Sequence, residues 1–205
     1  MVGCVSRERH HVYRRAAFIL PLLAALLSGC GSAAVNDTYD LSASVKASGP
    51  SVKSRQILIP QPTALQALDS NQIVIRVSPS EIQYLSKSQW SDKLTRIVQS
   101  KLVEAFENTG KLGGVGVPGQ GLAIDYQIVT DIRSFEIDTA PGQKSASVEI
   151  SVKILNDRSG TVKTQSVFRK VVPVSGGSNT DFVRGLDTAF AGVTAEIVDW
   201  TLRSI

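Results

Sequence analysis

The chain has 205 residues, with 22 Lys and Arg against 18 Asp and Glu, 2 histidines and 2 cysteines. Arg7, Arg9, Arg14, Arg15 and Glu8, both histidines (His10 and His11) and Cys4 all fall in the first 15 residues, so residues 30–205 keep 18 basic and 17 acidic side chains, no histidine and one cysteine, Cys30. That remainder gives no support for nucleic-acid binding, which needs a clustered basic face; it excludes an internal disulfide, a Cys/His zinc site and Ser-His-Asp or Cys-His catalysis, and it points away from an enzyme.

The four arginines form a basic n-region ahead of an apolar run, Ala16 to Leu27, interrupted only by Pro21. About 12 residues are too few to cross a ~30 Å bilayer core as a helix, but they have the size and flanks of a secretory h-region. Arg14-Arg15 invites a twin-arginine reading, for which Phe18 sits one position late. The run ends in Leu27-Ser28-Gly29-Cys30, which resembles the bacterial lipobox: small residues admit a peptidase between Gly29 and Cys30, and the Cys30 thiol can take a diacylglycerol. Residues 1–29 are thus expected to be a signal peptide, 30–54 a lipidated cysteine with tether and loop, and 55–205 a domain. Within the tether, Gly31–Asn36 is small and polar, Ser42–Ser54 reads as a loop, and Tyr39-Asp40-Leu41 between them suits a short strand docking on the body.

Arg55–Pro60 and Ile73–Val77 read as strands, and after the turn Ser78-Pro79-Ser80 the chain returns in Glu81–Leu85 as a hairpin partner. Trp90–Thr109 reads as a helix, with Leu94, Ile97, Val98, Leu102, Ala105 and Phe106 on one face, Ser88 or Ser91 as cap, and Gly110 as a left-handed stop. Leu122, Ile124, Tyr126, Ile128 and Ile132 then alternate with polar residues in a long strand; the apolar phase slips to Phe135 and Ile137, which predicts a bulge near Arg133. Pro141-Gly142 makes a turn. Ala146–Ile154 alternates again, Asn156–Gly160 is a turn, and Thr161–Val172 completes the hairpin. Asp181–Leu202 is the second helix, with Phe182, Leu186, Ala189, Phe190, Val193, Ile197 and Trp200 on one face and Arg184, Asp187, Thr194 and Asp199 on the polar side. The first helix has Lys93, Arg96, Lys101 and Glu104 opposite its stripe. The order β-β-β-α-β-β-β-α implies an α/β fold: a mixed, largely antiparallel sheet with two long helices packed on it.

Few residues invite chemistry. Gly114-Val115-Gly116-Val117-Pro118-Gly119 fits G-x-G-x-x-G, but it follows a helix and opens a strand, the reverse of a dinucleotide loop, and reads as a mobile loop. Asp125, Asp131, Glu136 and Asp138 share one strand, and their alternation with apolar residues marks a solvated face. Asn36-Asp37-Thr38 matches a glycosylation sequon by accident of a polar tether. Trp90, Tyr39 and Phe135 are candidate core or partner anchors. No catalytic residue, cofactor or metal site is expected.

The ordered set Tyr39-Asp40-Leu41, Ile57-Leu58-Ile59-Pro60, Gln72-Ile73-Val74-Ile75-Arg76, Tyr84, Gln89-Trp90-Ser91-Asp92-Lys93-Leu94 and Phe135-Glu136 resembles the ABC-type transport auxiliary lipoproteins, also described as PqiC-like. Gln89, Asp92 and Lys93 depart from the Arg-Trp and Glu-Pro usual there. The resemblance implies an anticodon-binding-domain-like α/β fold. It also implies a non-catalytic adaptor for lipid traffic across the bacterial envelope, working with an MCE-domain substrate-binding protein, a permease and an ATPase. Gly31 and Ser32 lack the aspartate that retains lipoproteins in the inner membrane, which favours the outer membrane, facing the periplasm. A lipoprotein of this build can instead serve another envelope machine such as a peptidoglycan synthase. A carboxylate-dependent hydrolase would need two converging acids, which the sequence does not show. A homo-oligomer is compatible with the sequence.

Overall fold

The structure, a computed structural model, describes residues 36–42, 48–139 and 144–205. In chain order the elements are β1 (Asp37–Tyr39), β2 (Val52–Leu58), β3 (Thr63–Ala64), β4 (Gln72–Ser78), β5 (Glu81–Trp90), α1 (Leu94–Glu107), β6 (Leu112–Gly116), β7 (Tyr126–Asp138), β8 (Ser145–Asn156), β9 (Val162–Pro173) and α2 (Asn179–Ser204). The sheet is built around β7. One of its edges carries β8 and then β9 in long antiparallel ladders. Its other edge is shared end to end by three short strands, all parallel to it: β2 at Tyr126–Gln127, β3 at Asp131–Ile132 and β4 at Glu136–Asp138. β6 lies parallel outside β2, β5 antiparallel outside β4, and β1 parallel outside β5. The sheet is therefore mixed, with its longest ladders antiparallel.

Period-two patterning decides which face is buried. Ala146, Val148, Ile150, Val152 and Ile154 of β8 are wholly buried, and across the ladder Phe135 and Ile137 join Ile128 and Ile132 of β7. The apolar phase of β7 switches at Arg133, where Ile132 pairs Ile150 but Ser134 pairs Glu149; one extra residue is accommodated there as a bulge, as the alternation foretold. α2 covers this face over β8 and β9 with Phe182, Leu186, Ala189, Phe190, Val193 and Ile197. Gly185 lets the helix approach closely, because a Cβ there would sit 2.7 Å from Val174 Cγ2 and 3.1 Å from Ala146 Cβ. The helix start is fixed by a capping box: Ser178 Oγ accepts from the Asp181 amide, and the Asp181 carboxylate accepts from the Ser178 amide at 3.1 Å. α1 buries the apolar face that its three- and four-residue spacing defines, against β6 and α2.

Several elements differ from the sequence reading. Trp90 does not open the helix; it ends β5, which continues five residues past the expected hairpin arm, and α1 starts at Leu94 with Lys93 at the cap position and no side-chain cap. Ser88 is buried in β5, not capping a helix. The glycine-rich stretch holds β6, and a Cβ on Gly113 would collide with the Lys53 carbonyl oxygen, so the strand exists because its side chains are missing. The long strand begins at Tyr126, not Leu122, which is left exposed on the preceding loop. Thr194, placed on the polar side of the second helix, is 1 % exposed. Ser134 and Glu136 of β7 lie on the face opposite the helices, with Ser147, Glu149 and Ser151 of β8 and the half-exposed Val167 and Val171 of β9. The Pro141-Gly142 turn and the proposed leader lie outside the described residues.

Candidate functional site

Cys30 and Gly29, the proposed lipidation and cleavage positions, lie outside the described residues. The three aromatic positions singled out in the sequence come together around the entry of the chain into the domain. Trp90 and Phe135, each 1 % exposed, meet edge to face with ring centroids 5.8 Å apart, and Phe135 meets Phe190 of α2 at the same distance. Tyr39 lies in β1 directly beside Trp90, and its carbonyl accepts from the Ser91 amide at 2.8 Å. Its hydroxyl reaches Thr180 Oγ1 at 3.5 Å. Leu41 follows into the core. Trp90 thus serves two partners: its ring belongs to the core, and its strand edge receives the incoming chain.

Ser42, Ser48 and Gly49 are held to α2 by two carboxylates that composition alone marks only as solvated. Ser42 donates to Asp187 through its amide at 2.7 Å and its hydroxyl at 2.9 Å. Asp199 accepts from the Ser48 amide and hydroxyl at 2.6 and 3.0 Å and from the Gly49 amide at 2.9 Å. Burial works to raise the Asp199 pKa, but these hydrogen bonds, with Arg203 nearby, outweigh it and hold the carboxyl below 3.8. No sequence motif announces such clips, because an aspartate on the outer side of a helix looks the same whether it faces water or a passing backbone.

Of the acids along β7, Glu136 is not simply solvated. It is 12 % exposed and forms a two-pronged pair with Arg76 of β4, at 2.6 Å from Nε and 2.8 Å from Nη2. Arg76 also donates to the Pro79 carbonyl, and the bond to Glu136 raises its pKa. Asp131 accepts from Thr63 Oγ1 at 2.7 Å, which ties β3 to β7. Asp125 accepts from the Gln56 amide, and its neighbour Tyr126 lies under two cations, Lys163 at 4.9 Å and Arg55 at 5.9 Å from the ring centroid. All these carboxylates are engaged in fastening strands to one another. Among the described residues no group of three or more His, Cys, Asp or Glu could hold a metal ion, and no helix is long and apolar enough to cross a membrane.

The chain is similar to known proteins along most of its length. It is 29 % identical over 199 residues to an uncharacterized protein of Bradyrhizobium diazoefficiens, bll6063, a match that takes in 87 % of this chain and 48 % of that protein. The chain therefore spans about half the length of this relative. Among solved structures it resembles protein XCC0632 of Xanthomonas campestris, with a TM-score of 0.77, 28 % identity, and coverage of 82 % of this chain and 95 % of that one. It also shares its fold with the hypothetical protein CT253 of Chlamydia trachomatis, at a TM-score of 0.52 and 12 % identity over 75 % of this chain and 98 % of that one. Residues 39–198, from the strand that carries Tyr39 to the last turns of α2, match the family described as ABC-type transport auxiliary lipoprotein component, and the chain belongs to that family.

Proposed function

We propose that this chain is a non-catalytic adaptor, anchored through a lipid on Cys30 in the outer membrane, that holds the MCE-domain protein of an ABC transporter moving lipids across the envelope. The observation that carries this reading is the family match over residues 39–198. The arrangement of apolar surface supports an adaptor over a lipid carrier. A lipid site needs a deep apolar cavity, yet both helices put their stripes into the core, from Leu94 to Phe106 on α1 and from Phe182 to Leu202 on α2. Partner contacts then fall to loops, to sheet edges and to the sheet face without helices. The nine residues from Cys30 to Tyr39 reach at most ~30 Å, so the domain works close to its membrane and the partner spans the remaining distance.

The test is to isolate the lipidated protein from envelopes in mild detergent, identify what accompanies it, and extract it for lipid. The expected result is the MCE protein with its permease and ATPase, and little bound phospholipid. Stoichiometric phospholipid would make the protein a carrier instead of an adaptor. A peptidoglycan synthase in place of the MCE protein would assign it to that machine.

A further inference from the structure

Between Gln72 and Val74, β4 advances two residues while its partner β5 goes through five, from Tyr84 to Gln89. The three surplus residues form a wide bulge over Leu85–Ser88. At its crest Lys87 has φ of 56°, the left-handed region that is costly for a residue with a side chain and was found among the described residues only here outside glycine. The bulge is held from behind. Asn179, the first residue of α2, donates from Nδ2 to the Ser86 carbonyl at 3.0 Å and to Ser88 Oγ at 2.7 Å. Leu85 and Ser88 are buried beneath it, and the Trp90 amide donates to the Asn71 carbonyl at 2.7 Å. Strain of this kind persists only where the surroundings over-determine it, and such bulges gather beside binding sites.

In front of the bulge lies a preformed depression of about 350 Å³, within the ~300–1,000 Å³ range of small-ligand sites. Asn36, Asn71, Gln72 and Gln89 supply its polar wall, Tyr84 its aromatic rim and Lys87 the single charge among its lining residues. Each amide offers a donor pair and an acceptor. Gln89 uses only long contacts, accepting from Asn36 at 3.2 Å and donating to Thr38 at 3.4 Å. The side-chain amides of Asn71 and Gln72 spend none of their capacity on the described residues. Tyr84 is 41 % exposed, an aromatic ring left without cover.

This combination selects a class of ligand. A lipid tail would need an apolar cavity, and a nucleotide would need several cations or a cradle of backbone amides for its phosphates. A pyranose ring presents hydroxyls that both donate and accept, which side-chain amides match in kind, and a C–H face that lies against an aromatic ring. We propose that the depression binds a short glycan of one or two pyranose units carrying one anionic substituent. The ring lies on Tyr84, its hydroxyl or acetamido groups bond to Asn71, Gln72 and Gln89, and the anion pairs with Lys87. The site is separate from the transporter reading and requires only that the domain meet glycans in its compartment.

The anion can be a carboxylate, as on a muramic acid, or a phosphate, as on a phosphorylated glucosamine, and the experiment separates them. The full chain in detergent is titrated calorimetrically with N-acetylglucosaminyl-N-acetylmuramic acid, with glucosamine disaccharide 1-phosphate, and with neutral chitobiose. Saturable binding of one or both anionic probes, stronger than of chitobiose, is expected; which of the two binds more tightly names the source. Tyr84→Ala and Gln72→Ala, both at exposed side chains, should each weaken binding by about tenfold or more. Lys87→Ala should erase the preference for anionic over neutral probes. Absence of saturable binding of every probe up to about 10 mM, or binding untouched by both Tyr84→Ala and Gln72→Ala, would overturn the assignment.

Discussion

Replacing Trp90 by alanine tests the architecture at its most heavily used residue. The indole is 1 % exposed, meets Phe135 edge to face at 5.8 Å, and through Phe135 is joined to Phe190 of α2. The truncation forfeits the indole's transfer free energy and leaves at most roughly 140 Å³ empty, up to about 3 kcal/mol of cavity cost at ~24 cal/mol per Å³ and less as neighbours relax, so that the two together come to about 3 kcal/mol. Loss of the aromatic pair adds ~0.5–1.5 kcal/mol. About 4 kcal/mol is therefore expected, within the ~3–5 kcal/mol usual for such truncations and a large share of the ~5–15 kcal/mol that holds a domain folded. For a chain of this size that lowers Tm by roughly 8–16 °C. The assay is thermal unfolding by circular dichroism, with a urea titration in which the midpoint falls and the slope stays constant. Trp90→Phe keeps a ring against Phe135 and should cost less than half as much. Trp200 packs edge-on against Phe168 at 5.5 Å but is only partly buried, so Trp200→Ala should fall well short of Trp90→Ala. If Trp90→Ala melts within about 3 °C of the parent, the ring does not support the core and the reasoning fails.

Three further outcomes are expected. Glu136→Ala strands a guanidinium that makes two short charge-assisted bonds, and should cost about 1.5–3 kcal/mol; a double-mutant cycle with Arg76→Met would expose a pair that does not couple. The Asp199 carboxyl is depressed below 3.8 in the folded chain, so its contribution is complete above the unfolded value and lost as the pH falls through the folded one. The protection of the Ser48 and Gly49 amides, taken relative to the intrinsic exchange rate at each pH, should therefore fall only in acid, and Asp199→Asn should lower it already at neutral pH; equal protection in parent and variant would remove the clip. Cys30→Ala should give an unprocessed or unlipidated protein, and globomycin should make the parent's precursor accumulate; normal processing of the alanine variant would refute the anchor.

Where one periodic pattern spans an element, the sequence was enough. The stripe Leu94, Ile97, Val98, Leu102, Ala105 and Phe106, the alternation from Ala146 to Ile154, and the slip of phase at Arg133 each translate directly into a buried face. Trp90 reads as a helix start because it is the apolar residue just ahead of the helical stripe, and pattern does not tell the last residue of a strand from the first of a helix. β5 reads short for a related reason: the bulge over Leu85–Ser88 breaks its alternation, and only Asn179, 91 to 93 residues on, shows why the chain tolerates that. The stretch that holds β6 reads as a loop because its glycines carry no apolar alternation, whereas here close approach to Lys53 demands glycine in a strand. The clips at Asp187 and Asp199 depend on a backbone arriving from 145 to 151 residues away, a contact no local window contains. Around the bulge, Tyr84 stood out in the sequence, but the amides gathered beside it come from three separate segments.

The tandem docking of β2, β3 and β4 along one edge of β7 bears on the order in which the chain can fold as it emerges from a ribosome or a translocation channel, amino end first. Apart from the β4–β5 hairpin, the pairing of β1 with β5 and the pairing of β2 with β6, every strand pairing of the first half waits for residues 126–138. β7, β8, β9 and α2, by contrast, are sequential neighbours that can assemble among themselves, with the short sequence separations that favour rapid folding. The late-arriving half is thus the template and the early half the client. The residues before 126 leave any such channel before the sheet's central strand is available, so β2, β3 and β4 emerge with one edge still unpaired.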